Sequence, residues 1–438
     1  MCNLPEAYVK QIFEENKKLK ERVATLENRL SLFESPHIPS SKHIIKEVRE
    51  PKEPAKRGAP EGHRGATRET AKPNRIVVLK PKICPRCRNK KVRIGKQHTK
   101  TGEDVVITKI VTRFYFYDCF CENCGNEFTT SDGELPKDGR FGPNISSIWT
   151  MLHYQGVIPF ERLSKISENC FGIPVTPAGL HNVIYHNTHI LQPYFDGIAK
   201  RVARAKYVRS DETSYPFNGE NYWMWNVSTR KDTLVLLRDN RSARVLNEIF
   251  GDVFDGVLNS DCFRAYDRFK AKEYQKCWAH ILRDAKDLAK NSREGLKLYR
   301  MLSRMYMYIQ SIKEGKQENT AKVKAWVWRA KRAINSWLDR NYQSKAVLNL
   351  VLRLAKHRDS WFTCLKYPYV EPTNNASERD IRKGVIARKV SGQHRSMLGM
   401  HSREIMMSTI LTCMKRNLNP FRFVRENIGK YNLGLKVS

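Results

Sequence analysis

The chain has 438 residues, 79 Lys+Arg against 45 Asp+Glu, and a formal net charge of +34 at pH 7. Its hydrophobic fraction of 40% is enough to build real cores, which excludes a disordered chain and leaves room for roughly three domains. The cationic excess attracts phosphate backbones through counterion release, so nucleic acid is the natural partner. A ribosomal or membrane-surface protein would share the charge, but not the acids and cysteines described below.

No stretch approaches the ~18–20 apolar residues of a membrane span. Met1-Cys2-Asn3-Leu4-Pro5-Glu6 has neither a basic nor an apolar leader region. These features predict a cytoplasmic, nucleoid-associated protein with no membrane partner. The chain has eleven cysteines, and in a reducing compartment clustered cysteines hold metal more often than they form disulfides.

In residues 1–34, Val9, Asn16, Val23 and Leu30 take heptad position a, and Ile12, Leu19, Leu26 and Phe33 take d. In a parallel pair Glu15 would meet Lys20, Arg22 would meet Glu27 and Arg29 would meet Glu34, so a dimerising zipper is expected. A helix lying on its own protein is the alternative. Residues 35–75 lose periodicity and gain Pro, Gly, Lys and Arg, as in Lys56-Arg57-Gly58-Ala59-Pro60, which reads as a basic flexible linker.

Within 76–135, Cys84-Pro85-Arg86-Cys87 and Cys121-Glu122-Asn123-Cys124 form two Cys-x-x-Cys knuckles. Sequence rich in β-formers separates them, including Val105-Val106-Ile107 and Phe114-Tyr115-Phe116-Tyr117. Four thiolates in two such pairs predict a closed, structural Zn²⁺ site of the ribbon kind. Cys119 is a spare that could exchange with Cys121, and a redox dithiol is the weaker alternative.

Residues 140–204 read as helices. Thr176-Pro177 supplies an N-cap and an N1 proline, Gly172 lies in a preceding turn, and Leu163, Ile166, Phe171, Val175, Leu180 and Ile184 are candidates for a small helix-turn-helix core. An ordinary helix pair would have the same pattern.

From Tyr207 the period changes to strands, with Phe217-Asn218-Gly219-Glu220 as a type I′ hairpin turn. The predicted order is βββαβαβα, that of a ribonuclease H-like sheet in which the first and fourth strands are neighbours. Asp211 and Asp261 would then meet at one sheet edge. Residues 282–366 read as a basic helical insertion, whose Trp326, Trp328, Trp337 and Trp361 are expected mainly in packing. The core resumes over 367–417, where Asn374 or Asn375 can cap a helix carrying Glu378. Two aspartates and a later glutamate are what two Mg²⁺ (or Mn²⁺) ions need in order to act on a phosphodiester. Glu212, Asp255, Asp267, Glu371 and Asp380 are rival acids. Residues 418–438 are expected as a tail beyond Asn419-Pro420. The fold class is therefore multidomain α+β: coiled coil, Cys₄ ribbon, helical DNA-binding region, and an α/β catalytic core with a helical insertion.

Asp211-Glu212-Thr213, Ser260-Asp261 followed by Ala265-Tyr266, Cys277-Trp278-Ala279-His280 with Arg283, Asn374-Asn375-Ala376-Ser377-Glu378-Arg379, and Arg388-Lys389 together resemble the insertion-sequence sixty-six transposases. Ser214 and Cys262-Phe263-Arg264 depart from a pattern that is often glycine-rich there. The resemblance implies a DDE transposase in which Asp211, Asp261 and Glu378 bind two Mg²⁺, element ends and target DNA are substrates, and accessory proteins can be encoded alongside. His280 is expected near the metals without ligating them, since hard Mg²⁺ prefers oxygen; a buried structural histidine is the alternative. Arg379, Arg382, Lys383, Arg388, Lys389 and Arg395 are expected at DNA phosphates. A hydrolysing nuclease, or a DNA-binding regulator without catalysis, remains open on the residues alone.

Overall fold

The structure is a computed structural model and describes residues 71–315, 320–391 and 395–437. The zipper over 1–34 and nearly all of the linker over 35–75 lie outside the described residues. Two compact units divide the rest, one containing residues 71–111 and the other residues 112–437.

In the smaller unit Cys84 to Cys87 form a turn, and no helix or strand occurs among the described residues. The larger unit opens with a short hairpin, β1 (Asp118–Phe120) and β2 (Glu127–Thr129), around the second knuckle. The strands expected at Val105-Val106-Ile107 and Phe114-Tyr115-Phe116-Tyr117 do not form. Nearly all of these side chains are exposed, and β-formers without a face to bury have little to hold them in a ladder.

Four helices follow: α1 (Pro143–Tyr154), α2 (Phe160–Phe171), α3 (Pro177–Ile190) and α4 (Gln192–Ala203). Gly172 ends α2 at φ 62°, in the left-handed region where a Cβ is disfavoured. Thr176 Oγ1 accepts the N–H of Gly179 at 3.1 Å to start α3, behind Pro177 at N1. Trp149, Leu163, Leu180 and Ile184 bury one another, while Ile166, Phe171 and Val175 are only half-buried.

The central sheet consists of β3 (Tyr207–Ser214), β4 (Trp223–Ser228), β5 (Thr233–Arg238), β6 (Val253–Ser260) and β7 (Lys270–Lys276), ordered β5-β4-β3-β6-β7. The first three are antiparallel, and β3, β6 and β7 are parallel. Asn218 and Gly219 both take positive φ, 46° and 85°, and Phe217 and Glu220 exchange both backbone hydrogen bonds, as a type I′ turn requires. Helices α5 (Arg244–Phe250) and α6 (Arg264–Arg268) connect the parallel strands. This five-stranded mixed sheet with its helices is consistent with a ribonuclease H-like core.

Next come α7 (Trp278–Asn291), α8 (Arg293–Lys313), α9 (Thr320–Asn335), α10 (Lys345–Lys356) and the short α11 (Thr363–Lys366), which bury a second cluster around Trp278, Leu298, Leu302, Val351 and Trp361. Then α12 (Asn375–Ser391) and α13 (Met397–Lys415) return to the sheet. Residues 418–438, expected as a tail, carry α14 (Pro420–Asn432) instead. Asn419 Oδ1 caps it by accepting the N–H of Arg422 at 3.1 Å. Val424 and Ile428, one turn apart, join the main core, so the Asn-Pro pair begins a helix as well as ending one.

Strand β5 is an edge strand, and its outward N–H groups are satisfied by side chains of α13. Glu404 Oε1 accepts from Leu237 N at 2.7 Å, Ser408 Oγ from Val235 N at 2.9 Å, and Thr412 Oγ1 from Thr233 N at 3.0 Å. Four helical residues rise about 6 Å and two strand residues about 6.7 Å, so every fourth side chain meets every second amide. The other edge, β7, is covered by the end of the insertion, with Lys276 N donating to Ser360 O at 3.0 Å. Ser408→Ala or Thr412→Val should orphan one buried amide and cost about 1–3 kcal/mol in chemical denaturation. Losses within experimental error would remove this account of the edge.

Candidate active site

The parallel register of β3 on β6 pairs Tyr207 with Val257, Val208 with Leu258 and Arg209 with Asn259. Two residues on, Asp211 and Asp261 emerge side by side. Asp261 follows the last residue of β6, whereas Asp211 sits inside β3, which continues to Ser214 on β4 alone. Asp261 Oδ1 accepts from Phe263 N at 2.9 Å, and Asp211 Oδ1 from Glu212 N at 3.1 Å.

Glu378 stands in the first turn of α12, and the approach to that helix is fixed by three fully buried asparagines. Asn259 Nδ2 donates to Glu371 O at 2.9 Å and Thr373 O at 3.3 Å. Asn374 Nδ2 donates to Ser210 O at 2.8 Å, next to Asp211. Asn226 Nδ2 donates to Ser377 O and Ser377 Oγ, both at 3.0 Å. The side chain of Asn374 was expected to cap the helix; its amide is drawn instead to the strand it crosses, and its backbone N–H donates to Cys277 Sγ at 3.1 Å. Asp211 thereby lies close enough to Asp261 and Glu378 to feel both charges.

That proximity shows in the acidities. Burial, then the charges of Glu212, Asp261 and Glu378, hold the Asp211 carboxyl well above the usual range. Glu212 is pushed up to about 7, first by burial and then by the charge of Asp261. The rival acids nevertheless have partners. Glu212 is bound by Arg241 at 2.7 Å and by the Tyr266 hydroxyl, Asp255 by Lys272 at 2.8 Å, and Asp267 by Lys276 at 3.1 Å. Glu371 pairs with Arg209 at 3.3 Å, and Asp380 with Lys415 at 2.7 Å. Among the described residues Asp211 and Asp261 have no lysine or arginine partner, and Glu378 has only His280, with Nε2 3.6 Å from Oε1. Neighbouring carboxylates left without cations have the oxygen chemistry that a hard divalent ion such as Mg²⁺ or Mn²⁺ prefers, although Asp211 and Asp261 do not join Glu378 in a group of ligand atoms within 4.8 Å of one another.

Cys277, His280 and Glu378 also offer ligand atoms within 4.8 Å of one another. Burial pushes the Cys277 thiol up to about 11, and its sulfur already accepts the Asn374 amide, so it is a poor thiolate ligand.

Of the cations expected at DNA, Arg379, Arg382, Lys383, Lys389 and Arg395 are exposed. Arg388 is not available: it is buried, and Nη1 donates to Ser214 O and, at 3.0 Å, to Ser214 Oγ. Helix α12 runs on to Ser391, so this residue lies on an inward helical face rather than in a basic loop. Two residues beside the acids had no signal of their own in the sequence reading. Lys276, fully buried at the end of β7, donates to Asp261 O at 2.9 Å and Ser260 Oγ at 3.4 Å, fixing the peptide that carries Asp261. Arg241 lies 3.7 Å above the Phe263 ring centroid while holding Glu212.

The two knuckles have matching shapes, each within its own unit. Cys84 N donates to Asn89 O at 2.8 Å and Arg88 N to Cys84 O at 2.8 Å, with Arg88 at φ 57°. Cys121 N donates to Asn126 O at 2.9 Å and Gly125 N to Cys121 O at 2.8 Å, with Gly125 at φ 73°. Backbone N–H groups, first those of Cys87 and Cys124, lower the pKa of the Cys84 and Cys121 thiols respectively, which favours the metal-binding thiolate.

The profile of the family described as Transposase IS66 family matches residues 138–402, more than half of the chain. The uncharacterized protein y4hP of Sinorhizobium fredii is 22% identical over 402 residues, covering 81% of this chain and 72% of y4hP. Uncharacterized protein y4jO of the same organism is 26% identical over 200 residues, covering 44% of this chain and 60% of y4jO.

Because the folded chain holds the Asp211 proton more tightly than the unfolded one, this group favours folding below its raised pKa, and the contribution is lost as pH rises through it. In chelator at about pH 8, Asp211→Asn should therefore melt above the parent, by roughly 1–2 °C for each kcal/mol of repulsion relieved in a unit of this size. The gain should vanish near the ordinary aspartate range of about pH 4. Equal melting of the two proteins at both pH values would contradict the crowding of charge.

Proposed function

The chain belongs to the IS66 transposase family, and from that membership and three carboxylates without a lysine or arginine partner among the described residues we propose that it cuts DNA at the ends of a mobile element and joins them to target DNA. The observation that carries the reading is the contrast in pairing: the rival acids each have a lysine or arginine partner, while Asp211, Asp261 and Glu378 have none among the described residues. These three would hold two Mg²⁺ or Mn²⁺ ions, which when bound stabilise the attacking and leaving oxygens of an in-line displacement at phosphorus.

The chain's own residues arrange that displacement. Lys276 fixes the Asp261 peptide, the asparagines fix the helix bearing Glu378, and His280 Nε2 faces Glu378 and orients it, as a second layer around a metal site does. Arg379, Arg382, Lys383, Lys389 and Arg395 supply cations for the phosphates of the bound strand. In the first step a water oxygen bonds to phosphorus as the 3′-oxygen of the element end departs and gains a proton. In the second, that 3′-hydroxyl attacks a target phosphodiester, and one P–O bond replaces another. Helix α3, capped at Thr176, is the candidate for groove reading. Residues 1–34 would pair two chains, and Cys84, Cys87, Cys121 and Cys124 would hold one structural Zn²⁺, a reading that rests on their spacing and on the shape of each knuckle.

With a duplex carrying the element's own end and Mg²⁺, the parent should give nicked and strand-transfer products. Asp261→Ala should lose both by roughly 10³-fold or more, the scale of removing a principal electrostatic stabiliser, while DNA binding persists. Cleavage undiminished in that variant would refute the assignment, and cleavage without joining in the parent would leave a nuclease. Metal analysis should find about one zinc per chain, lost in the Cys84→Ser/Cys87→Ser double variant; full retention would exclude the four-cysteine site.

A further inference from the structure

One face of the helical insertion has no part in the site above. On α8, Arg293, Lys297, Arg300 and Arg304 recur at intervals of four, three and four residues, which stacks them along one side of the helix. All four are exposed. None forms an ion pair with a carboxylate among the described residues; Arg304 Nε turns back to Arg300 O at 3.3 Å. The acid within α8 is Glu294, off this row, and α9 contains none. On α9, Trp328 is 57% exposed, with the Arg332 guanidinium 4.7 Å from its ring centroid. The insertion's other tryptophans are used in packing: Trp337 and Trp361 are buried, and Trp326 stacks on Tyr308 at 4.2 Å.

Like charges one turn apart repel and weaken a helix. A face that served only for solubility would mix signs, with glutamates between the cations. A single-sign row is favourable only opposite a polyanion. It spans twelve residues, a rise of about 16 Å, enough to follow several successive phosphates of one strand. We propose that this face of the insertion, centred on Arg300, is a second DNA-docking surface that grips the phosphate backbone of duplex DNA without reading its sequence. The proposal rests on the reading of the chain as an enzyme acting on DNA, and it adds a binding surface separate from the three acids.

The test compares the full chain with Arg293→Gln/Arg300→Gln/Arg304→Gln in fluorescence-anisotropy titrations against a mixed-sequence duplex over a range of salt. Each lost phosphate contact should lower the magnitude of the slope of log K against log salt by about 0.9, so the triple variant should lose roughly 2.7. The loss should be equal on element-end and unrelated duplexes. Without DNA the variant should melt no lower than the parent, since repulsion has been removed. Lys297→Gln/Arg304→Gln provides the same readout in a second background, with a loss of about 1.8. Unchanged slopes in folded variants would overturn the docking surface even if the parent cuts and joins DNA. Shifted slopes in a chain that cannot cut would keep the surface and overturn the catalytic reading.

Discussion

The site depends on three buried amides. Glu378 is separated from Asp261 by the whole helical insertion, and nothing local in the chain would return it to the sheet. Asn226, Asn259 and Asn374 do so from β4, from β6 and from the approach to α12 itself, binding the backbone from Glu371 to Ser377. The groups in this clamp are neutral. Cations also hold this stretch, at Glu371 and Asp380, but a cation beside Glu378 itself would cancel its carboxylate charge. Amide hydrogen bonds fix the backbone and leave the charge for ions.

The acids nearby are divided accordingly. A cation beside Glu212, Asp267, Glu371 or Asp380 turns each carboxylate into a support. Lys276 illustrates the economy, since one buried ammonium neutralises Asp267 and also fixes the peptide of Asp261. The remaining trio keeps no lysine or arginine partner among the described residues, and burial, with the charges of Glu212, Asp261 and Glu378, holds the Asp211 carboxyl above its usual range. If the trio holds divalent ions as proposed, crowding these acids weakens the metal-free fold in exchange for that affinity, the usual exchange of stability for function.

Much of this was legible in the residues, because local rules and the global fold agree where the sheet is built. Apolar runs marked the strands between Tyr207 and Ser260, Asn218-Gly219 fixed the hairpin, and parallel pairing of the first and fourth strands brought Asp211 level with Asp261, whereas β7 (Lys270–Lys276) is too polar to be bounded by its pattern. The failures have a common cause in contacts distant along the chain. Arg388 reads as a surface cation until Ser214 is found beneath it. Asn374 has the composition of a cap but is drawn to Ser210. Asn419-Pro420 was taken as an ending, although the helical spacing of Val424 and Ile428 was there to be seen. Val105-Val106-Ile107 has the propensity of a strand without a face to bury.

The order of the chain also determines when the site can exist. The stretch from Ser360 to Thr412 does three jobs in succession. It covers the β7 edge at Lys276, brings Glu378 to the aspartates, and caps the β5 amides at Thr233, Val235 and Leu237. These contacts are non-local, and contacts of this kind require a long loop to close before they are rewarded. Until this stretch docks, both edges of the sheet are bare and the two aspartates stand without their partner. Bringing Glu378 toward the aspartates and covering both sheet edges therefore fall to one stretch of chain, so a change that loosens it should disturb the proposed site and the edges together.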